Sequence, residues 1–569
     1  MNVLEFGSRA YRLVLACIIL AGTLYAALYF NYFQTPSEDY IGNFRPRIAE
    51  YMAGDFPGKN FKILPIYPLL VALGAKINPL PAHDVIYLTA MILNLLLYVP
   101  FLLVAHAVFK RFLSPRMTLA ALAYLVMNVY SVFTAVNAEL EMALALLTAG
   151  TVLLALRGSP ASYAGAFLAS AVKWDSVFAI PAAMYRDFFE NRRRLRAILL
   201  GLCAVSGVAA WFALSLVNSG EYGNPYVKEI AQRGPATYRY IVDCFLILAG
   251  FVPWMATGAY FSGSTIVKAA YYPVVVAFTL FTVVSAIWGV AVIARNRLRE
   301  NAPLLIFFAG YLAIHMIYQN TKERYVTPIL WLLVLFMFYG IENGLAPWIK
   351  RMFIRRATAF RALAIAACLI TALAMGRGLV LVPGLGLPLT VAACCFVALW
   401  AVIIVKFGGS DTTRARAFLF CTAAAAALLA VSFGVNAMDH YGWKRVEFRK
   451  AAEWFSAHAR PGDRMLIAET VVSRYYSDMD ESRFLGSLRL RSLKLDDLVS
   501  ELAEKKVTYV FVDDFYVRRL QYGDKNAIDR KAHLFKEIRD RGESTGHFRQ
   551  VEKFETRGGI VSGVYEFIP

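Results

Sequence analysis

Asn31-Tyr-Phe-Gln-Thr-Pro-Ser37-Glu38-Asp39-Tyr40 opens a hydrophilic segment that runs to Pro81. It continues as Arg45-Pro-Arg47-Ile-Ala-Glu-Tyr-Met52-Ala-Gly-Asp-Phe56, then as Lys62-Ile-Leu-Pro65-Ile-Tyr-Pro68-Leu-Leu. An apolar run, 11–30, precedes it, and another, about 84–108, follows. Two adjacent carboxylates, Glu38 and Asp39, therefore come directly after a spanning helix. Charge this close to a bilayer is expensive and marks a site. The plainer reading is a pair of solvated loop acids at the first turn of the next helix, where the helix dipole favours them.

The rest of the chain supports a membrane setting. Of its 569 residues 59% are hydrophobic and 17% are charged, and the mean hydropathy is +0.51. Soluble domains average about 45–50% apolar and about 25% charged. Runs of about 20 apolar residues recur, as a polytopic α-helical membrane protein requires. Lys and Arg number 59 against 40 Asp and Glu, a net charge of +19. The excess sits in short loops between spans, as the positive-inside rule expects, and no nucleic-acid motif accompanies it. Seven cysteines lie in apolar segments without metal-ligand spacing and read as small buried hydrophobes. No Asn-x-Ser/Thr acceptor occurs, which leans away from a eukaryotic secretory protein.

Arg9 and Arg12 place the N-terminus inside and the opening loop outside. Spans follow at about 84–108, 117–136 and 138–156. Read as one span, 161–188 would put the Arg192–Arg196 cluster on the wrong side. Two short helices, 161–172 and 175–188, avoid this, with Lys173-Trp174-Asp175 at an outer break. Further spans are 195–217, 271–294, 302–319, 325–341, 357–375, 379–405 and 415–437, with 241–268 re-entrant or an even pair of crossings. The count is about thirteen transmembrane helices, which puts residues 439–569 outside as a small soluble α/β domain. Its expected elements are helices 446–459, 495–505 and 526–541 and strands 464–469, 507–513, 548–554 and 560–568. Residues 1–438 form the membrane domain, with its outer loop at 31–83.

Sorted by side, the outer charges near span ends include Glu38, Asp39, Lys62, Glu139, Glu141, Lys173, Asp175, His315, Lys322 and Arg324. Acids and cations sharing one face suit a reaction in which a carboxylate takes a proton from an attacking hydroxyl while cations hold a departing phosphate. Each also has a plain reading. Glu139 and Glu141 favour a helix N-terminus and, two apart on a helix, diverge by about 200°. Lys173, Asp175 and Arg324-Tyr325 suit interfacial turns, and His315 suits a satisfied core histidine.

Several stretches together resemble the GT-C superfamily of membrane glycosyltransferases, in layout the lipid A aminoarabinose transferases and protein O-mannosyltransferases. They are Glu38-Asp39-Tyr40 with Gly54-Asp55-Phe56 and Pro65-Ile-Tyr67-Pro68, then Ala138-Glu139-Leu140, Val172-Lys173-Trp174 and Arg324-Tyr325-Val-Thr-Pro328. Ala451-Ala-Glu-Trp454 through Leu466 resembles the start of the soluble domain of those enzymes. The resemblance implies an inverting transfer of a sugar from a polyprenyl-phosphate donor to a lipid, glycan or protein acceptor on the outer face of a bacterial inner membrane. Asp39 or Glu38 would be the general base. Lys62, Lys173, Lys322, Arg324 and Tyr325, with Glu139, would hold the donor phosphate. It fixes no cofactor and leaves room for a divalent metal ion. The family has Asp before Glu where this chain has Glu38 before Asp39, and a Thr-Lys-Gly turn where this chain has Val172-Lys173-Trp174. A lipid-linked glycan flippase or transporter is the alternative, but no internal repeat with broken helices is visible.

Overall fold

The computed structural model describes residues 5–30, 36–37, 39–55, 63–80, 84–219, 239–249, 265–317, 323–345, 347, 446–477, 479–520, 528–555 and 561–569. The chain divides into two compact units. Met1–Phe30, Arg47–Ala256 and Ser264–Asn436 form a helical unit, and Asn31–Pro46, Thr257–Gly263 and Ala437–Pro569 form a C-terminal unit.

Before the C-terminal unit the helices are α1 (Arg9–Phe30), α2 (Arg45–Ala53), α3 (Ile66–Ile77), α4 (Val85–Phe112), α5 (Pro115–Met127), α6 (Val129–Val136), α7 (Glu141–Leu156), α8 (Ala161–Val172), α9 (Ala179–Tyr185), α10 (Arg194–Ser219), α11 (Arg239–Leu248), α12 (Thr265–Ile317) and α13 (Leu330–Gly340). Among the described residues five stretches are long and apolar enough to cross a membrane: Arg9–Ala27, Val85–Phe112, Arg194–Val217, Thr279–Ile317 and Thr327–Gly344. Helices α3, α7 and α8 are apolar but shorter. The expected count of thirteen is thus not reached among the described residues. The expected spans 357–375, 379–405 and 415–437 lie outside them, as does 250–264 of the re-entrant stretch.

The single span expected at 117–136 is two helices bent by 60°. Asn128 is the cause. Its backbone is extended (φ −66°, ψ 120°), its side-chain oxygen accepts the Tyr130 N–H at 3.0 Å, and its amide donates to the Ile247 carbonyl at 2.9 Å. A side chain that caps one helix while bonding another stops the first. By contrast the break expected at 173–175 is present: α8 ends at Val172, Lys173 is extended (φ −153°, ψ 127°), and a 3-10 turn, Trp174–Phe178, leads into α9. In α12, Arg297 has non-helical angles (φ −147°, ψ 48°), so two helices meet there, between the expected spans 271–294 and 302–319.

Helices α12 and α13 touch backbone to backbone. A Cβ added to Gly289 would lie 1.8 Å from the Phe336 carbonyl oxygen, and one on Gly340 would lie 1.9 Å from that of Ser285. Without a hydrophobic drive between spans, such small-residue contacts are how apolar helices pack closely. Around them Trp331, Phe336, Phe307 and Tyr311 are fully buried.

The C-terminal unit has helices α14 (Val446–His458), α15 (Thr470–Ser477), α16 (Leu495–Glu504), α17 (Asp514–Leu520) and α18 (Ala532–Arg541). Its strands are β1 (Met465–Ile467), β2 (Phe484–Gly486), β3 (Tyr509–Val512), β4 (Phe548–Glu555) and β5 (Val561–Phe567). The sheet order is β2-β1-β3-β5-β4. β2, β1 and β3 are parallel, while β5 is antiparallel to β3 and to β4. Strand β1 is buried throughout, as a parallel strand covered on both faces must be. Edge strand β4 exposes Arg549, Gln550 and Val551 and bulges between Gln550 and Glu552, and charge and bulge both discourage further pairing at an edge. The sequence reading omits α15, α17 and the three-residue β2, which are too short to show a period. It also starts the last helix at 526, whereas α18 starts at Ala532, because Lys531 is left-handed (φ 55°).

Candidate functional site

The break after α8 turns Lys173 and Asp175 inward, leaving them 7% and 3% exposed. Their side chains pair, Lys173 Nζ to Asp175 Oδ2 at 3.0 Å. The same oxygen meets His315 Nε2 at 3.1 Å. The other ring nitrogen of His315 lies 2.9 Å from the Tyr311 carbonyl oxygen one turn earlier on α12. Each ring nitrogen of His315 thus faces an acceptor, so the ring has a partner whichever nitrogen carries the proton. Its ring stacks on Tyr240 (centroids 4.6 Å apart, planes at 17°) and touches Tyr311 at 4.4 Å.

Arg324 and Tyr325 sit on a 3-10 turn before α13. Lys173 Nζ lies over the Tyr325 ring, 4.2 Å from its centroid, and the Arg324 guanidinium is 5.3 Å from the same centroid. A cation over an aromatic face gains from the ring quadrupole, the more so when desolvated. Tyr240 and Tyr311 both donate their hydroxyls to the Tyr325 carbonyl, at 2.9 and 3.0 Å. Thr327 Oγ1 donates to the Arg324 carbonyl at 2.9 Å. This turn has no regular backbone ladder, so side chains from α11 and α12 satisfy it instead.

Arg324 Nη1 reaches Glu139 Oε2 at 3.1 Å, and its Nε is 4.0 Å from Glu141 Oε1. Both acids thus meet one guanidinium, contrary to the divergence expected for them. That expectation assumes helix at both positions. Glu139 instead lies in the bend before α7, which starts at Glu141. Asn94 on α4 fixes the bend by donating to the Glu139 carbonyl at 2.6 Å. Segments far apart in the chain thus build one buried network from Glu139, Glu141, Lys173, Asp175, His315, Arg324 and Tyr325. Tyr240, Tyr311 and Asn94 escaped the sequence reading. Each sits in an apolar helix with no local pattern to mark it, and only its partner gives it a role.

Of the remaining expected residues, Asp39 is described. Asp39 belongs to the C-terminal unit, at the start of a π-helical turn, Tyr40–Phe44, and its Oδ1 accepts from Asn43 Nδ2 at 3.4 Å. Glu38, Lys62 and Lys322 lie outside the described residues. Among the described residues no group of three or more His, Cys, Asp or Glu is placed to hold a metal ion. Glu139 and Glu141 share one arginine, Arg324.

No protein-family model matches the chain. No curated protein matches it in sequence. Among solved structures it is similar to ArnT from Cupriavidus metallidurans bound to undecaprenyl phosphate, at 14% identity and a TM-score of 0.50 over 96% of this chain and 97% of that one. The apo state of the same protein gives 12% identity and a TM-score of 0.48, covering 96% and 97%. The apo oligosaccharyltransferase of Archaeoglobus fulgidus gives 12% and 0.47, over 98% of this chain and 74% of that one. Only the first reaches the level at which a shared fold is meaningful, and it does so along nearly the whole length of both chains. The chain thus shares the fold of that ArnT structure.

Proposed function

We propose that this chain is a glycosyltransferase that moves a sugar from a polyprenyl-phosphate donor to a lipid, glycan or protein acceptor on the outer face of a bacterial inner membrane. Residues 1–438 carry the reaction, with 31–83 as the outer loop, and 439–569 form an extracytoplasmic domain. Asp39 or Glu38 takes the proton of the acceptor hydroxyl as its oxygen attacks the anomeric carbon. The bond from that carbon to the phosphate oxygen breaks on the opposite face, so the configuration inverts. Arg324 and Lys173, with Lys62 and Lys322, hold the departing phosphate, where fixed positive charge lowers the barrier most. Tyr325 orients both cations, and Glu139 holds Arg324 in place until the phosphate arrives.

The observation that carries this reading is the pair of cations, Lys173 and Arg324, collected on one tyrosine ring within the helical unit. Buried cations at that cost mark a place where negative charge is handled. The ArnT-like fold supports it, since that structure is bound to undecaprenyl phosphate. The test is to incubate purified protein with radiolabelled polyprenyl-phosphate sugars and membrane extract and follow the label. Transfer by the native chain and its loss in Asp39→Asn or Glu38→Gln is the expected result. Full transfer in both single variants and the double variant would remove the carboxylate mechanism.

A further inference from the structure

The acid-bearing loop and the C-terminal domain lie about 400 residues apart in the chain, yet residues 31–46 belong to the same compact unit as 437–569. The joint is specific. Tyr40–Phe44 forms a π-helical turn closed by the Arg45 N–H donating to the Tyr40 carbonyl. Single π turns are rare and frequent at functional sites. Ser37 anchors its start, with its Oγ accepting the Tyr40 N–H and its carbonyl accepting the Ile41 N–H, each at 3.0 Å. Ile41 packs against the hydrophobic core of the C-terminal sheet. The Arg45 guanidinium lies 5.3 Å from the centre of the Tyr475 ring on α15. Tyr475 is braced in turn by Tyr476 edge-on at 4.8 Å, and Tyr476 carries Arg449 of α14 over its ring at 5.1 Å. Asp39 is the residue immediately before this turn.

We infer that the C-terminal domain is the positioning device for the general base: α15, through Tyr475 against Arg45 and the core against Ile41, sets where the Asp39 carboxylate stands. Covalent attachment to α1 leaves a loop free to sample many positions, whereas docking at both ends of a five-residue turn removes that freedom. Effective positioning of a reacting group is worth orders of magnitude in rate, and a shift of about 1 Å can cost about 100-fold. The inference also gives the domain a side: it must lie on the same face of the membrane as the first loop. It rests on the transferase reading for its catalytic consequence but not for the docking itself.

Two measurements on the full-length protein in detergent separate these. The first is amide hydrogen exchange over residues 40–46. Tyr475→Leu should raise it at least about tenfold, and Tyr475→Phe, which keeps the ring over which the cation sits, should restore protection. The second is transfer kinetics. Tyr475→Leu should lower kcat by about tenfold or more with the donor KM within about twofold, because only the base is displaced, and Tyr475→Phe should recover kcat. Unchanged exchange in Tyr475→Leu overturns the inference. Raised exchange with unchanged kcat also overturns it, since the docking would then position nothing. If Asp39→Asn and Glu38→Gln both transfer at full rate, the base assignment fails, and the positioning role fails with it, while the exchange result still reports the docking. Should Tyr475→Leu not accumulate, Arg45→Gln removes the cation from the same contact without touching the domain's core and is read in the same way.

Discussion

Glu139 in the helical unit and Asp513 in the C-terminal unit are both carboxylates with almost no exposed surface, yet their surroundings differ in kind. Glu139 faces Arg324 at 3.1 Å, and the buried acids around it each have a cation: Glu141 shares Arg324, and Asp175 has Lys173 and His315. Asp513 lies at the end of β3. Strand β3 pairs in parallel with β1, and another acid, Glu469, follows β1. Asp513 accepts the Tyr516 N–H at 2.7 Å on one oxygen, while the other is buried without a hydrogen-bond partner. Burial foremost, and the nearby Glu469 charge, push its pKa up to about 7. In the helical unit these buried acids face cations, since a buried ion needs a counter-charge. The soluble-type unit lets an acid give up its charge instead.

The largest effect should come from breaking the first arrangement. Arg324→Gln leaves Glu139 and Glu141 together without their cation. It should abolish transfer and cost about 3–5 kcal/mol of stability, read by thermal unfolding in detergent. Adding Glu139→Gln should recover part of that stability but none of the activity. A neutral Arg324→Gln would show that pairing is not what holds the network.

The second arrangement makes a prediction of opposite form. A folded-state pKa above the unfolded one means that the folded chain holds the extra proton. Stability from Asp513 is therefore complete below about 4 and lost as pH rises to about 7. A carboxyl moved from 3.8 to about 7 is worth on the order of 4 kcal/mol. Hydrogen-exchange protection of β3 should fall between pH 5 and pH 8, and Asp513→Asn, which keeps an acceptor for Tyr516, should flatten that fall. A pH-independent β3 in the native protein would mean that Asp513 stays ionised and has a counter-charge after all.

Smaller effects sharpen the contrast. His315→Gln removes one of two donors to Asp175 and should cost about 1–3 kcal/mol, less than Lys173→Met, which also takes the cation off Tyr325. Smallest should be Glu501→Gln. This acid accepts from Lys505 Nζ at 2.7 Å and from the Arg491 and Ser492 amides, and these bonds, against burial, hold its pKa down at about 2. Its contribution is present above about 4.5 and disappears as pH falls through about 2, so the variant should be less stable than the native chain at neutral pH and converge with it in acid.

What the sequence made legible follows from what kind of force acts. Some of the apolar runs, and the break at Lys173, are written in local hydropathy and charge, and these stand among the described residues. Arg324, Glu139 and Lys173 came from short matches to a family, and the geometry brings those three together. The bend at Asn128 was hidden, because an asparagine in an apolar run looks the same whether it is packed or capping. Tyr240 and Tyr311 were hidden because their partner is a backbone carbonyl more than ten residues away. The divergence assigned to Glu139 and Glu141 failed on a boundary, since one residue of helix more or less redirects a side chain by about 100°. Where Asp39, Glu38, Lys62 and Lys322 stand relative to the buried network is the geometry the transfer assays are designed to probe.

The glycine contact between α12 and α13 has a mechanical consequence. Gly340 closes α13 at the end opposite Arg324 and Tyr325, and at that end no side chain separates it from Ser285 and Gly289. A joint without even a methyl group of clearance resists both sliding and rolling. Any rearrangement that lets Arg324 trade a glutamate for a phosphate must then swing from this fulcrum, moving the cation end of α13 most and the glycine end least.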